Sequence, residues 1–204
     1  MRPADLPFSE ACERNGPAIL AVLQPLLRDA RSALELGSGT GQHAVRFAAA
    51  MPWLTWQPTE VAARIDALAA RVRLEGTPNL DPPQALDVSA AGWPSRTFDA
   101  VFTANTLHII SWEQVHDLLR GAAGVLQPGG LLAAYGPFRY GARHTAASNE
   151  AFDRMLRDRD PASGVRDALE LDGLAAAHGL RLEADHALPA NNRLRLWRKR
   201  SAGQ

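Results

Sequence analysis

The sequence predicts a doubly wound α/β fold with a seven-stranded, mostly parallel sheet that ends in an antiparallel C-terminal hairpin. Short apolar runs alternate with amphipathic segments along most of the chain, which is the pattern of repeated strand and helix units. Three glycines, at positions 37, 39 and 41, separate the first apolar run from an amphipathic segment. Two alternating stretches, 180–188 and 194–199, predict the hairpin.

Length and charge predict one ordinary domain spanning residues 1–204. The 22 Lys and Arg residues balance 22 Asp and Glu residues, so no excess charge indicates nucleic acid or an anionic membrane. Cys12 is the only cysteine, which excludes a disulfide framework within the chain and a multi-cysteine metal site. Residues 1–7 lack the apolar core of a signal peptide. We therefore expect a cytoplasmic protein, monomeric or homodimeric, with no metal and no nucleic-acid or membrane partner.

The glycine-rich stretch predicts a nucleotide-type site. The run 32–36 suits a buried strand, and 41–51 suits a helix with one apolar face. Glycines between them let ligand atoms approach bare backbone and permit angles that a Cβ forbids. A dinucleotide fingerprint needs its last glycine one position later, where Gln42 stands, and a P-loop needs a lysine that does not follow. The spacing disfavours both of these sites.

The remaining elements follow from periodicity and from turn residues. Asn15 before Gly16–Pro17 predicts the cap of a helix that covers the sheet. The residues between 136 and 165 are rich in glycine and clustered charge, which predicts a lid-like insertion beside the substrate. The alternation at 193–198 places arginines on one face of a basic edge strand. The other predicted strands are 53–58, 84–88, 98–104 and 131–135, and the other predicted helices are 61–74, 112–126 and 168–178.

Polar residues that follow the predicted strands are the candidates for ligand contact. Glu60 lies at the tip of the second strand, where an acid accepts ribose hydroxyls, although it also suits the first turn of the next helix. Asn105 and His108 follow the fourth strand, at the carboxyl edge where ligands bind. His108 suits a general base, and a structural or substrate-positioning role is an equally open alternative.

Two motifs resemble those of class I S-adenosylmethionine (SAM)-dependent methyltransferases. They are Glu35-x-Gly37-x-Gly39-x-Gly41 and the Leu-x-Pro-Gly-Gly-x-Leu pattern at 126–132. The resemblance implies a Rossmann-like fold and SAM as cofactor, with Glu35 in the network around the amino acid portion of SAM and Asp87 at the adenine amino group. The Asn-Pro-Pro-Tyr motif of nucleobase and glutamine methylases is not present after Ala104, which favours a small-molecule acceptor.

Further motifs along almost the whole chain together resemble the methyltransferase-like 26 family, which carries a domain of unknown function. That family is expected to show an aspartate where this chain has Glu60. The motifs are Phe8-Ser9, 13–15, Gly37 to His43, Trp56-Gln57-Pro58, 103–109, Tyr135 to Phe138, Ser148-Asn149, Arg159-Asp160-Pro161, Arg166-Asp167 and 189–192.

The predicted function is transfer of a methyl group from SAM to a small molecule by in-line displacement. The alternative is a SAM-binding sensor or partner protein that keeps the fold without turnover. His108 and Tyr135 are the candidate catalytic residues. The predicted cofactor contacts are Arg14, Asn15, Glu35, Gly37, Ser38, Gly39, Gly41, Glu60, Asp87, Val88 and Asn105. The predicted substrate contacts are His108, Tyr135, Asn149, Asp160, Arg166 and Asn192.

Overall fold

The computed structural model of the chain describes residues 6–201, so most of the N-terminal segment that argued against a signal peptide lies outside the described residues. The helices are α1 (Glu10–Leu26), α2 (Gln42–Ala50), α3 (Ile65–Glu75), α4 (Trp112–Val125), α5 (Ala147–Arg159) and α6 (Ala168–Ala177). The strands are β1 (Ser32–Leu36), β2 (Thr55–Glu60), β3 (Gln84–Ala85), β4 (Phe98–Ala104), β5 (Leu126–Gly136), β6 (Phe138–Tyr140), β7 (Arg143–His144), β8 (Arg166–Asp167), β9 (Leu180–Leu188) and β10 (Asn192–Lys199).

Seven strands form the main sheet in the order β3-β2-β1-β4-β5-β10-β9. The first five strands of this order are parallel to one another, whereas β10 is antiparallel to both β5 and β9. The predicted fold class is therefore confirmed. The strand order reverses direction between β1 and β4, which places a crevice at the carboxyl ends of these two strands.

The sheet is covered on both faces, which explains the nearly continuous apolar runs of its central strands. One apolar cluster joins Ile19 of α1 and Phe47 of α2 to one face of the sheet. The other cluster joins Leu118 of α4 and Leu171 of α6 to the opposite face. Each strand of the centre must therefore present apolar side chains in both directions.

Several boundaries differ from the sequence prediction, and two of these differences concern predicted site residues. Helix α1 begins at Glu10, and Ser9 caps it by accepting a hydrogen bond from the backbone N–H of Cys12 at 3.4 Å. Asn15 therefore lies inside the helix and does not cap it, and Pro17 also lies inside the helix. Strand β3 ends at Ala85, so Asp87 lies in the loop that follows it.

Strand β10 is not a solvent-facing edge strand, contrary to the expectation of a basic edge. It lies between β5 and β9, and only 2% of the Arg195 side chain is exposed. Arg195 donates to both carboxylate oxygens of Asp172 at 2.7 Å and also pairs with Asp185. The indole N–H of Trp197 donates to Asp172 as well, at 2.9 Å. The alternation that suggested exposed arginines instead marks a buried ion-pair network that joins α6 to the hairpin.

The segment 136–165 contains β6, β7 and α5. Strand β6 pairs with β7 and β8 in a small second sheet. In the described part of the chain, no helix combines the length and apolar character needed to cross a bilayer.

Loss of Asp172 should destabilise the fold strongly. Asp172→Ala removes the bidentate partner of a buried guanidinium, so we expect the free energy of unfolding to fall by about 3 kcal/mol. Chemical denaturation measures this change. Glu150→Ala, which removes an exposed pair with Arg154, is the matched control and should cost less than about 0.5 kcal/mol. Equal stability of Asp172→Ala and the control variant would contradict the proposed importance of the network.

Candidate functional site

A cavity of about 430 Å³ lies at the carboxyl ends of β1, β2 and β4. This volume falls in the range of small-molecule sites, and the position agrees with the switch-point rule for open α/β sheets. Its lining residues are Ser9, Cys12, Gly37, Ser38, Gly39, Thr40, His43, Glu60, Val61, Arg64, Leu86, Asp87, Val88, Ala104, Asn105, Thr106, Ile109, Ile110 and Gln114.

The three loop glycines all adopt left-handed backbone angles, for two different reasons. Their φ values are 68° at Gly37, 55° at Gly39 and 77° at Gly41. A Cβ on Gly37 would lie 2.8 Å from the hydroxyl of Thr106, and one on Gly41 would lie 2.7 Å from Leu68. A Cβ on Gly39 would meet nothing within 4 Å. The outer glycines therefore permit close packing within the protein, and Gly39 leaves bare backbone open at the cavity.

Glu60 is buried at the end of β2 and faces the glycine loop. One carboxylate oxygen accepts the backbone N–H of Gly39 at 2.7 Å, and the other accepts that of Val61 at 3.0 Å. Each oxygen keeps capacity to accept a further hydrogen bond. The carboxylate therefore both orients the loop and offers two acceptors to a ligand with neighbouring hydroxyl groups. The Glu60 side chain does not cap the helix that follows it, because its hydrogen-bond partners are the backbone N–H groups of Gly39 in the glycine loop and of Val61.

Glu35 lies behind the loop and does not line the cavity. It is buried, and one carboxylate oxygen accepts the indole N–H of Trp56 at 2.9 Å. Burial raises the pKa of Glu35 to about 7, although the Trp56 hydrogen bond opposes this shift. The neighbouring Ser38 hydroxyl is buried, lines the cavity and has no hydrogen-bond partner among residues 6–201. An unpaired buried hydroxyl of this kind is a candidate contact for a polar ligand.

Asn105 directly follows β4 and has a strained backbone conformation. Its φ is 59°, a left-handed value that non-glycine residues adopt infrequently. Its backbone N–H donates to the carbonyl of Tyr135 at 2.8 Å, and the residue lines the cavity. Such strain persists only where the surroundings hold it, and it is concentrated at functional sites.

His108 and Tyr135 lie outside the cavity lining, although the sequence predicts both at the reaction mouth. His108 is only 3% exposed and meets the Phe152 ring edge-on, with 5.2 Å between the ring centroids. Burial, with a smaller contribution from Arg166, lowers the pKa of His108 to about 4. The hydroxyl of Tyr135 accepts a hydrogen bond from the side chain of Asn192 at 2.9 Å, and burial raises its pKa. Neither side chain contacts the cavity in this conformation because both are packed beneath its wall.

Other predicted contacts divide into those at the cavity and those away from it. Asp87 and Val88 line it, and Asp87 also accepts the backbone N–H of Ser89 at 3.0 Å. Arg14 is not at the cavity, because its side chain is 72% exposed and pairs with Glu10. The remaining predicted contacts that do not line the cavity are Asn15, Gly41, Asn149, Asp160, Arg166 and Asn192.

Asn15 acts through a neighbour. Its side-chain oxygen lies 2.7 Å from Nε2 of His43, which does line the cavity. The His43 ring stacks on Phe47, with 5.2 Å between centroids. Burial lowers the pKa of His43 to about 4, so this imidazole is neutral at pH 7. Asn15 therefore fixes the orientation of a cavity residue that sequence reasoning did not select.

Several lining residues were not predicted from the sequence. Val61, Thr106, Ile109 and Ile110 follow β2 and β4, so the rule that ligands lie beyond strand ends was a signal that could have found them. Ser9 and Cys12 belong to the start of α1, and only the packing of this helix over the sheet brings them to the cavity. The spacing of residues along the sequence does not indicate how α1 packs on the sheet.

The two buried histidines should make the protein less stable in mild acid. His43 and His108 have folded-state pKa values near 4, below the ordinary value of 6.5, so the unfolded chain binds protons first as the pH falls. Stability is complete above about pH 6.5 and should fall by roughly 3 kcal/mol per histidine on acidification to pH 4. Denaturation of the wild type and of His108→Gln at several pH values measures this slope. The slope should be smaller in His108→Gln and unchanged in His116→Gln, which replaces an exposed imidazole, and equal slopes in all three would contradict the assignment.

Three solved structures with the same architecture are described as methyltransferases. An O-methyltransferase family protein from Burkholderia thailandensis matches with a TM-score of 0.76 and 18% identity, over 94% of this chain and 60% of its own. Human N-acetylserotonin methyltransferase, solved in complex with SAM, matches with a TM-score of 0.79 and 18% identity, over 94% and 53%. The methyltransferase SibL, solved in its apo form, matches with a TM-score of 0.78 and 21% identity, over 93% and 56%.

At these identities the likeness shows the fold alone, and the chain spans only 53% to 60% of the length of these proteins. A family model described as a protein of unknown function, DUF938, matches residues 6–199. This match covers nearly the whole chain, and the protein belongs to the DUF938 family.

Proposed function

We propose that this protein is a SAM-dependent methyltransferase that acts on a small molecule. The observation that carries the proposal is the pairing of open backbone at Gly39 with the Glu60 carboxylate, in a cavity at the carboxyl edge of parallel strands. The architecture shared with methyltransferases supports it. The finer resemblance to the methyltransferase-like 26 family and the cytoplasmic location belong to the same proposal.

The residues around the cavity fit the parts of SAM. Glu60 offers two acceptors to the ribose hydroxyls, and Asp87 with Val88 receives the adenine in the loop after β3. The unpaired Ser38 hydroxyl and the bare backbone of Gly39 receive the methionine portion. Glu35, immediately behind, supplies negative charge for the ammonium group. When bound, SAM supplies a sulfonium-activated methyl group for in-line displacement.

The protein contributes positioning and exclusion of water rather than a strong base. The imidazoles of His43 and His108 are both poor proton acceptors near pH 7, because burial lowers their pKa values to about 4. Holding the acceptor atom in line with the methyl group is by itself a large catalytic effect. His108 and Tyr135 then shape the wall of the site, and the acceptor must present a nucleophile that reacts without a protein base.

The alternative is a SAM-binding protein without turnover, and the weak basicity of both buried imidazoles favours it. Incubation of the protein with labelled SAM and a pool of metabolites separates the two functions. Transfer of label to any small molecule supports the enzyme, whereas tight binding with no transfer supports a sensor or partner protein.

Gly39→Ala should abolish cofactor binding while leaving the protein folded. The added methyl group meets no protein atom, so it would occupy the space proposed for SAM, and the left-handed backbone costs about 1 to 2 kcal/mol of stability. Calorimetric titration of SAM and of S-adenosylhomocysteine measures binding.

Gly129→Ala is the matched control, since Gly129 also has a positive φ, of 79°, and a Cβ there would meet nothing within 4 Å. It lies near the start of β5, away from the cavity lining. Both variants should lose similar stability, and only Gly39→Ala should lose binding. Failure of the folded wild type to bind either molecule would overturn the proposed function.

SAM affinity should rise with pH because of Glu35. The carboxyl group is largely protonated below its pKa of about 7, and the SAM ammonium favours the ionised form, so binding at pH 6 must release a proton. We expect affinity to increase about five- to tenfold between pH 6 and pH 7.5 in the wild type. Glu35→Gln should bind more weakly at pH 7.5 and show a flat profile.

Titrations in two buffers of different ionisation enthalpy count the protons released. A wild-type profile as flat as that of Glu35→Gln would exclude Glu35 from the electrostatics of binding.

A further inference from the structure

The loop that follows β4, residues 105–110, forms one wall of the cavity through Asn105, Thr106, Ile109 and Ile110. Four consecutive carbonyls of this loop accept hydrogen bonds from the segment 163–166, here called the brace. The bonds are Arg166 Nε to Leu107 O at 2.8 Å, Gly164 N to His108 O at 2.9 Å, Ser163 Oγ to Ile109 O at 2.6 Å, and Arg166 Nη2 to Ile110 O.

The Nε and Nη2 atoms of Arg166 donate hydrogen bonds to backbone carbonyls. Besides the loop, its Nη2 donates to the carbonyl of Ala162 at 2.9 Å, and its guanidinium lies 5.8 Å from the centre of the Trp112 ring. Within residues 6–201, no carboxylate pairs with it inside 4.0 Å, although the residue is buried. Burial is the main reason why its pKa is lowered. A buried cation held by carbonyl dipoles fixes the backbone that carries them.

Helix α5 holds the brace from its other side. The Asp153 carboxylate accepts the backbone N–H of Val165 at 2.6 Å and pairs with Arg157 at 3.1 Å. Gly164 has a φ of 148°, and a Cβ there would lie 2.6 Å from the Arg157 guanidinium. The contact of Phe152 with His108 joins the same helix to the loop directly.

We infer that Arg166 is a positioning residue for the cofactor site, and that the brace transmits the packing of α5 to the cavity wall. This inference rests on the proposed function. The brace keeps the loop in the shape that includes the left-handed Asn105. No residue of segment 136–165 lines the cavity. The segment therefore acts on the site by supporting its wall. Arg166 itself does not line the cavity, and its Nε and Nη2 donate to backbone carbonyls.

Arg166→Met tests the inference, because it keeps the length of the side chain and removes its donors. At a temperature where the variant is folded, we expect the dissociation constant for S-adenosylhomocysteine to rise about tenfold or more. Amide hydrogen exchange should accelerate in residues 105–111. Arg166→Lys keeps the positive charge but can reach only part of the carbonyls that the guanidinium binds, so it should restore part of the affinity.

Arg198→Met is the matched control, since Arg198 lies in the hairpin and the change removes its ion pair with Glu183 of β9 and its bond to the Gly129 carbonyl of β5. It should lower stability without changing affinity or the exchange of residues 105–111. Wild-type affinity and wild-type exchange in folded Arg166→Met would overturn the inference.

If Arg166→Met does not fold, Ser163→Ala removes one brace bond and should shift both measurements in the same direction by a smaller factor. No change in either measurement for Ser163→Ala would then overturn the inference. Failure of the wild type itself to bind the ligand refutes the proposed function, and in that case the exchange measurement still decides whether the brace holds the loop.

Discussion

The left-handed backbone at Gly37, Gly39 and Gly41 is the constraint on which the arrangement of the cavity depends. It turns the chain sharply from β1 into α2 and brings the N–H of Gly39 onto the Glu60 carboxylate at the end of the neighbouring strand. A side chain at Gly37 or Gly41 would collide with the protein, whereas the same change at Gly39 would only fill open space. One loop thus combines a packing requirement with a ligand-facing surface.

Buried charge is the second organising feature, and it is used in two ways. Arg195 is neutralised by Asp172 and Asp185, and this network joins α6 and the hairpin on the side of the sheet beyond β5. Arg166 instead meets backbone carbonyls and holds an irregular loop that regular secondary structure cannot stabilise. An ion-pair network suits the joining of two elements, while carbonyl ligation suits the fixing of a single loop. Arg166 donates through Nε and Nη2 to backbone carbonyls, whereas Nε of Arg195 has no hydrogen-bond partner among the described residues, so the burial of Arg195 depends on its two carboxylate partners.

The acidic and basic residues of the site differ from its buried imidazoles in position and in charge. Ionisable groups of the lining, Glu60, Asp87 and Arg64, lie at the ends of β2 and β3, where ribose and adenine are proposed to bind. Burial holds two imidazoles neutral, that of His43 in the lining and that of His108 beneath the wall, as their pKa values near 4 indicate. Glu35, with a pKa of about 7, is the exception that a cationic ligand would ionise. This division fits chemistry that depends on placement more than on proton transfer.

The sequence by itself determined the order of the strands and helices outside residues 136–167, the glycine loop and the acid at the end of β2, because these follow from periodicity and from residues that directly succeed a strand. Strand β4 was predicted to the residue, and the hairpin was correctly identified. Only the tertiary structure decided that Ser9 and Cys12 reach the cavity, that β10 is internal, and that Arg166 faces backbone. The physical reason is that helix docking, strand neighbours and the partner of a buried charge are set by contacts between distant segments, and local sequence patterns do not encode those contacts.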